Sequence, residues 1–253
     1  ALERPLLIKG EPGTGKTLLA QEIAQALDAP LIAWHIKSTT RAQQGLYEYD
    51  AVSRLRDSQL GDARVSDIRN YIKRGKLWEA FTHPARPVLL IDEVDRADEE
   101  FEAFLLELLS DFQVSIPELG TITARSIPMV ILTSNGTREL SDALRRRCLY
   151  HYVDFPDVDR EARIILSRLP HIDAALALQI AGMVSLIRKE ELRKAPGVAE
   201  TLDWAATLAG LEIRLLRDEP EAVFETLMCL IKTAEDKARM TRQVSDRLLG
   251  KVA

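Results

Sequence analysis

The spacing of apolar residues along this chain changes character near residue 156. Ahead of that point, short β-rich runs alternate with stretches that repeat apolar residues every three or four positions; beyond it only the helical repeat continues. The short runs predict strands at Pro5–Lys9, Pro30–Ile36, Val88–Asp92, Met129–Ser134 and Cys148–Phe155. Leu19, Ile23 and Leu27, four residues apart, predict a helix over Thr17–Leu27 with those three side chains on its apolar face. Phe101, Phe104, Leu105, Leu108 and Phe112 do the same for Asp98–Phe112. Asp98 can cap that helix, and Glu99 and Glu100 suit the positive end of its dipole. Strands alternating with helices point to a mostly parallel α/β sheet.

Two irregularities interrupt the alternation. Ser38–Thr82 is polar and mixed in sign, longer than a simple crossover needs, and reads as an inserted element of exposed helix and loop. Gln113–Ile116 and Thr121–Ala124 alternate around Pro-Glu-Leu-Gly and predict a β-hairpin. After Pro156 the chain is rich in Ala, Leu, Glu and Arg, broken near Pro170, Ala195-Pro196-Gly197 and Asp218–Pro220, as a small helical domain would be. The expected organisation is an α/β core over 1–155, with an insertion at 38–82 and a hairpin at 113–125, followed by a helical lid over 156–253.

Composition narrows the function classes. The hydrophobic fraction of 46% and charged fraction of 29% are those of a packed globular protein. A formal charge of −5 argues against a dedicated nucleic-acid binder. No apolar run approaches a membrane span and no signal peptide is visible. Cys148 and Cys229 form neither a metal-ligand spacing nor a disulfide framework, so buried thiols in a cytoplasmic compartment are expected. His35, His83, His151 and His171 lie at unrelated spacings and predict no catalytic or metal role, and Trp34, Trp78 and Trp204 read as packing residues. The chain opens at Ala1 without a methionine, close to a glycine-rich motif, which predicts a native segment ahead of it.

That motif, GEPGTGKT at residues 10–17, fits G-x-x-x-x-G-K-[ST] between a strand and a helix. Gly10, Gly13 and Gly15 let the backbone turn so that its N–H groups surround phosphate oxygens, and the helix dipole adds to the attraction. The expected nucleotide contacts are Glu11, Pro12, Gly13, Thr14, Gly15, Lys16, Thr17 and Leu18. Lys16 would neutralise the β- and γ-phosphates of ATP, and the Thr17 hydroxyl would sit on Mg2+. VLLIDEVDRA places Asp92 and Glu93 at a strand end that faces the ligand crevice of an open parallel sheet. Asp92 is the second Mg2+ residue, and Glu93 is placed to activate a water against the γ-phosphate. Asn135, ending PMVILTSN, offers an amide to that water and to a γ-phosphate oxygen.

Together these residues resemble an AAA+ ATPase: GEPGTGKT is similar to Walker A, LLIDE to Walker B, ILTSN to sensor 1, and SDALRRRC to the box ending in an arginine finger. The insertion and the hairpin resemble the helix-2-insert clade. KLWEAF and APGVAETLDW are similar to MoxR-type ATPases, the CoxD-like subgroup above all. The resemblance implies a ring, commonly a hexamer, with ATP at each subunit boundary. It also implies a chaperone that acts on a client metalloenzyme, molybdenum-containing carbon monoxide dehydrogenase in the CoxD-like case, beside a von Willebrand A domain partner.

By the family's A-L-x-x-R pattern, Arg147 is the first choice for the finger and Arg145 the second, with Arg146 solvated. A lid arginine usual in this clade is missing at Val198 and Ala199; Arg193 or Lys194 could substitute, or be a solvated helix end. Two other uses of the same site stay open. One is a DNA-directed motor or loader, against which the acidic balance and the absence of a DNA-binding module speak. The other is a nucleotide-gated scaffold with little turnover, against which the intact Glu93 speaks.

Overall fold

The computed structural model describes residues 3–116 and 120–252. The chain divides into two units: residues up to Gly10 with Gly15–Val153, and Glu11–Thr14 with everything from Asp154 onward. The first unit begins β1 (Leu6–Gly10), α1 (Lys16–Ala26), β2 (Leu31–His35), α2 (Ala42–Leu46), β3 (Tyr47–Tyr49), α3 (Ala51–Gln59), β4 (Ile72–Arg74) and α4 (Lys76–Thr82). It continues with β5 (Val88–Asp92), α5 (Glu99–Asp111), β6 (Gln113–Ile116), β7 (Gly120–Thr123), β8 (Met129–Ser134), α6 (Asp142–Arg147) and β9 (Leu149–Val153).

Five strands form one sheet in the order β2-β5-β8-β1-β9, and every pairing in it is parallel. This is the α/β sheet the sequence predicts. All five residues of β5 are buried, because layers cover both faces of a parallel sheet. Leu89 and Ile91 pack on one side with Phe101 and Leu105; Val88 and Leu90 pack on the other with Ala20 and Ala24. Each such aliphatic side chain contributes roughly 1.5–3 kcal/mol on burial. The strand ends therefore hold Asp92, His35 and Ser134 at one edge of a rigid layer.

Three expectations are corrected here. Helix α1 buries Lys16, Ala20 and Ala24, while Leu19 and Leu27 are 37% and 54% exposed. The period was right, but of the three predicted residues only Ile23 packs on the core, and only in part: small side chains let the helix lie close to the sheet, and they follow Lys16 at four-residue steps. The 38–82 segment is not all surface, since α4 buries Leu77, Trp78, Ala80 and Phe81 in the core. Nor is it only helix and loop, because β3 and β4 form an antiparallel pair. Inside it Asp57 is buried, accepting from Arg56, Arg64 and the Tyr71 hydroxyl. Cys148 is buried but Cys229 is only partly so.

Strands β6 and β7 pair antiparallel from Gln113↔Thr123 to Ile116↔Gly120, and residues 117–119 of the predicted turn lie outside the described residues. Asp98 caps α5, accepting from the Phe101 N–H at 2.8 Å.

Beyond Asp154 the second unit is helical: α7 (Val158–Arg168), α8 (Ala174–Ile187), α9 (Val198–Gly210), α10 (Pro220–Thr226), α11 (Ala234–Arg239) and α12 (Arg242–Val252). Helix α8 is apolar nearly all round and forms the centre of that core, against Trp204, Leu208, Leu216 and Leu248. An ion pair is buried in the same unit. Arg188 donates to both Glu161 carboxylate oxygens at 2.6 and 2.8 Å and stacks on Phe155, 4.2 Å from its centroid. Among the described residues, no helix is long and apolar enough to cross a membrane.

Candidate nucleotide site

Strand β1 ends at Gly10, where a Cβ would stand 2.1 Å from the Val153 carbonyl oxygen, so only glycine fits beside β9. Gly15 (φ 86°) is left-handed and serves as the N-cap of α1 without a capping side chain. The N-terminal end of a helix favours an anion. Lys16 is buried, and its Nζ donates to the Gly10 carbonyl at 2.9 Å. Leu18 is 39% exposed. Glu11–Thr14, grouped with the second unit, contains Gly13 at φ 75° and Pro12, and the Thr14 hydroxyl donates to the Glu11 carbonyl at 2.8 Å.

Asp92 terminates β5 and is buried. The Thr17 hydroxyl donates to its Oδ1 at 3.0 Å, and the Thr133 hydroxyl donates to the same oxygen. The Nδ1 of His35 lies 2.9 Å from Oδ2. His35 is therefore part of the site's geometry, a contact that the expectation of no catalytic or metal role for the histidines did not address. The end of β2 stands beside the end of β5, a neighbour relation that residue spacing in the sequence does not reveal. Among the described residues no cluster of three or more His, Cys, Asp or Glu could hold a metal alone. A hydroxyl and a carboxylate 3.0 Å apart at a phosphate loop nevertheless suit Mg2+, which takes one or two protein ligands and completes its shell with phosphate oxygens and water.

Glu93 follows in the left-handed region (φ 59°, ψ 45°), unusual for a residue with a side chain. Its N–H donates to Thr133 Oγ1 at 2.9 Å, so one threonine ties both acidic residues to β8. The Asn135 amide donates to Glu93 Oε1 at 3.1 Å, and Arg96 Nε lies 3.0 Å from Oε2. Asn135 and Glu93, separated in sequence, thus meet side chain to side chain. Two buried carboxylates hold the loop that carries Asn135. Asp95 accepts from the N–H groups of Asn135 and Thr137 and from the Thr137 hydroxyl. Burial pushes its carboxyl up, but these donors outweigh burial and hold it below the ordinary value. Glu102 pairs with Arg138 and accepts from the Ser141 N–H at 2.8 Å.

Ser141 caps α6, the helix carrying the three arginines. Arg145 pairs with Asp142 and Glu139, at 2.5 and 3.6 Å. Arg147 donates to the Leu106 carbonyl at 3.0 Å. No side-chain hydrogen bond or ion pair of Arg146 is found among the described residues. Arg4 donates to the carbonyls of Arg146, Arg147 and Cys148, closing the C-terminus of α6. In the second unit, the backbone N–H groups of Arg193 and Lys194 donate to Asp236, and the Arg193 guanidinium lies 3.4 Å from Glu235.

With this geometry stand the likenesses to known proteins. The family profile described as AAA domain (dynein-related subfamily) matches residues 5–148. The chain belongs to that family. It is 24% identical to the gas vesicle ATPase GvpN1 of Halobacterium salinarum, over 99% of this chain and 69% of that protein. It is 32% identical to the chaperone protein ClpB of Bacillus anthracis over 53% of this chain, which is 14% of ClpB. The RuvB Holliday junction branch migration motor of Thermotoga maritima has the same fold, with a TM-score of 0.53 at 20% identity, over 92% of this chain and 63% of RuvB. Membership of the AAA family carries nucleotide binding with it, and the five-stranded parallel sheet is the P-loop sheet of that family.

Sequence reasoning missed His35, Thr133, Arg96, Asp95, Glu102 and Arg4. Only Thr133 carries a local signal, its place two residues before Asn135 at the end of an apolar run. Arg96 meets Glu93 three residues away within one turn, and the others act through contacts between segments distant in sequence.

Proposed function

We propose that this chain is an ATP-hydrolysing chaperone motor of the MoxR type, working as a ring, commonly a hexamer, that remodels a client protein. The observation that supports this reading is the hydrogen-bonded joint of Thr17 on α1, Asp92 and Glu93 at the end of β5, and Thr133 and Asn135 at the end of β8, which suits a Mg2+ pair and a general base. The names of GvpN1 as an ATPase and of ClpB as a chaperone support the reading. The metalloenzyme client, the von Willebrand A domain partner and the CoxD-like placement rest on KLWEAF and APGVAETLDW.

In this reading the loop 11–18 surrounds the phosphates and Lys16 neutralises the β- and γ-groups. Mg2+ held by Thr17 and Asp92 would supply charge on the phosphate oxygens. Glu93 accepts a proton from water as the water oxygen bonds to the γ-phosphorus and the bridging oxygen leaves with ADP. Asn135 orients that water. A neighbouring subunit contributes Arg147, or Arg145, whose planar fork suits the oxygens of the transferring group.

The test is Glu93→Gln. The variant should bind ATP, retain its client and hydrolyse roughly 10²–10⁴-fold more slowly, the usual effect of losing a positioned general base. Turnover equal to wild type would refute the assignment.

A further inference from the structure

We propose that Arg96 is the positioning residue for Glu93, holding one carboxylate oxygen while Asn135 changes partner during hydrolysis. The inference rests on the ATPase reading and adds to it a residue that the phosphate-binding motifs do not contain.

The local backbone explains why the two side chains meet. Val94–Arg96 is a single 3₁₀ turn with Glu93 as its N-cap, and the Arg96 N–H donates to the Glu93 carbonyl at 3.0 Å. That i→i+3 bond brings Arg96 back beside Glu93, which itself stands outside the turn in the left-handed region. The turn cannot drift. Val94 is fully buried, and Asp95 is anchored by three donors from the Asn135–Thr137 loop. Arg96 Nε then reaches Glu93 Oε2 at 3.0 Å.

Both Glu93 oxygens thus have a partner, an amide that donates to Oε1 and a guanidinium in ion-pair contact with Oε2, and the two differ in chemistry. Asn135 Nδ2 is a neutral amide just after β8, the strand paired with β1, and in the ATPase reading it is the group that turns to the γ-phosphate and the attacking water. Once it leaves, Oε1 is free to accept a water proton. Arg96 has no such second task. Its hold on Oε2 keeps the carboxylate from rotating as Oε1 comes free, and small displacements of a reacting group are costly in rate.

The experiment compares wild type, Arg96→Gln, Arg96→Lys, Glu93→Gln and the Arg96→Gln/Glu93→Gln double variant. Steady-state ATP hydrolysis is measured alongside binding of a fluorescent ATP analogue. Arg96→Gln should lower kcat about tenfold with KM and analogue affinity unchanged, and Arg96→Lys should recover part of the loss. In the Glu93→Gln background the Arg96 change should cost nothing further, because the residue acts only through that carboxylate. The inference fails if Arg96→Gln turns over as wild type, if KM rises instead, or if its loss persists without Glu93. Wild type without hydrolysis, or Glu93→Gln as fast as wild type, would overturn the ATPase reading itself and this inference with it. Active wild type, inactive Glu93→Gln and unaffected Arg96→Gln would overturn the inference alone.

Discussion

Truncating Glu161 to alanine should destabilise the helical unit more than any surface change. Its carboxylate is fully buried and accepts two charged hydrogen bonds from Arg188, at 2.6 and 2.8 Å, and a third from the Thr201 hydroxyl at 2.8 Å. After Glu161→Ala, Thr201 keeps its bond to the Gly197 carbonyl, and Arg188 keeps the Pro196 carbonyl and the Phe155 ring. The guanidinium, only 8% exposed, then stays charged without a counter-ion. Two charged hydrogen bonds at about 1.5–3 kcal/mol each, and the general cost of orphaning a buried charge, agree on roughly 3–5 kcal/mol. For a chain of this size that is a fall in melting temperature of about 6–20 °C. Replacing both partners, Glu161→Leu with Arg188→Met, removes the stranded charge and should recover most of the loss. Calorimetry of the two single variants and the double one makes the comparison. A shift below about 1 kcal/mol for Glu161→Ala, or a double variant as unstable as the sum of the singles, would refute the reasoning.

Doping Arg147→Ala subunits into wild-type rings should silence more sites than the mutant fraction, since each arginine would serve a neighbour. Giving up the bond to the Leu106 carbonyl costs only about 1 kcal/mol, so the side chain is free to be redirected. Activity that falls in proportion, or a stronger effect from Arg146→Ala, would discard Arg147 as the finger. Asp236 is held below its ordinary value: burial raises it, but the N–H groups of Arg193 and Lys194 and the Thr233 hydroxyl outweigh burial. Its stabilisation is therefore complete above the ordinary aspartate pKa of about 3.9 and is lost as pH falls through the lowered value. Asp236→Asn should melt earlier than wild type at pH 7, and the gap should close in acid; a gap independent of pH would contradict this. Burial pushes the Cys148 thiol up to about 11, against a small opposing effect of Arg4. An alkylating reagent at pH 8 should label the partly buried Cys229 first and reach Cys148 only after unfolding, as mass spectrometry would show.

How far the sequence could be read depended on whether a feature was local. The strand runs Val88–Asp92 and Met129–Ser134 appear with the bounds their apolar patterns predict, and Asp98 caps α5 as its type and place require. GEPGTGKT is legible because one short loop must supply all its own turns, at Gly13 and Gly15. The face of α1 was not legible. A helix pressed on a sheet chooses small side chains, so the bulky Leu19 and Leu27 face outward against the usual expectation. The same holds for α4, whose polar neighbours in sequence conceal a segment that fills the core.

By itself the sequence determined the alternation of strands and helices, the phosphate loop and the two acidic residues after β5, since each is written within a few consecutive positions. Only the tertiary structure decided which groups surround those acids. Parallel pairing of β2, β5 and β8 brings His35, Asp92 and Thr133 to one sheet edge, and the loop after β8 returns Asn135 to Glu93. These contacts join residues tens of positions apart, and no local pattern encodes them. They exist because the buried faces of the sheet fix the strand register, and the register fixes which strand ends meet.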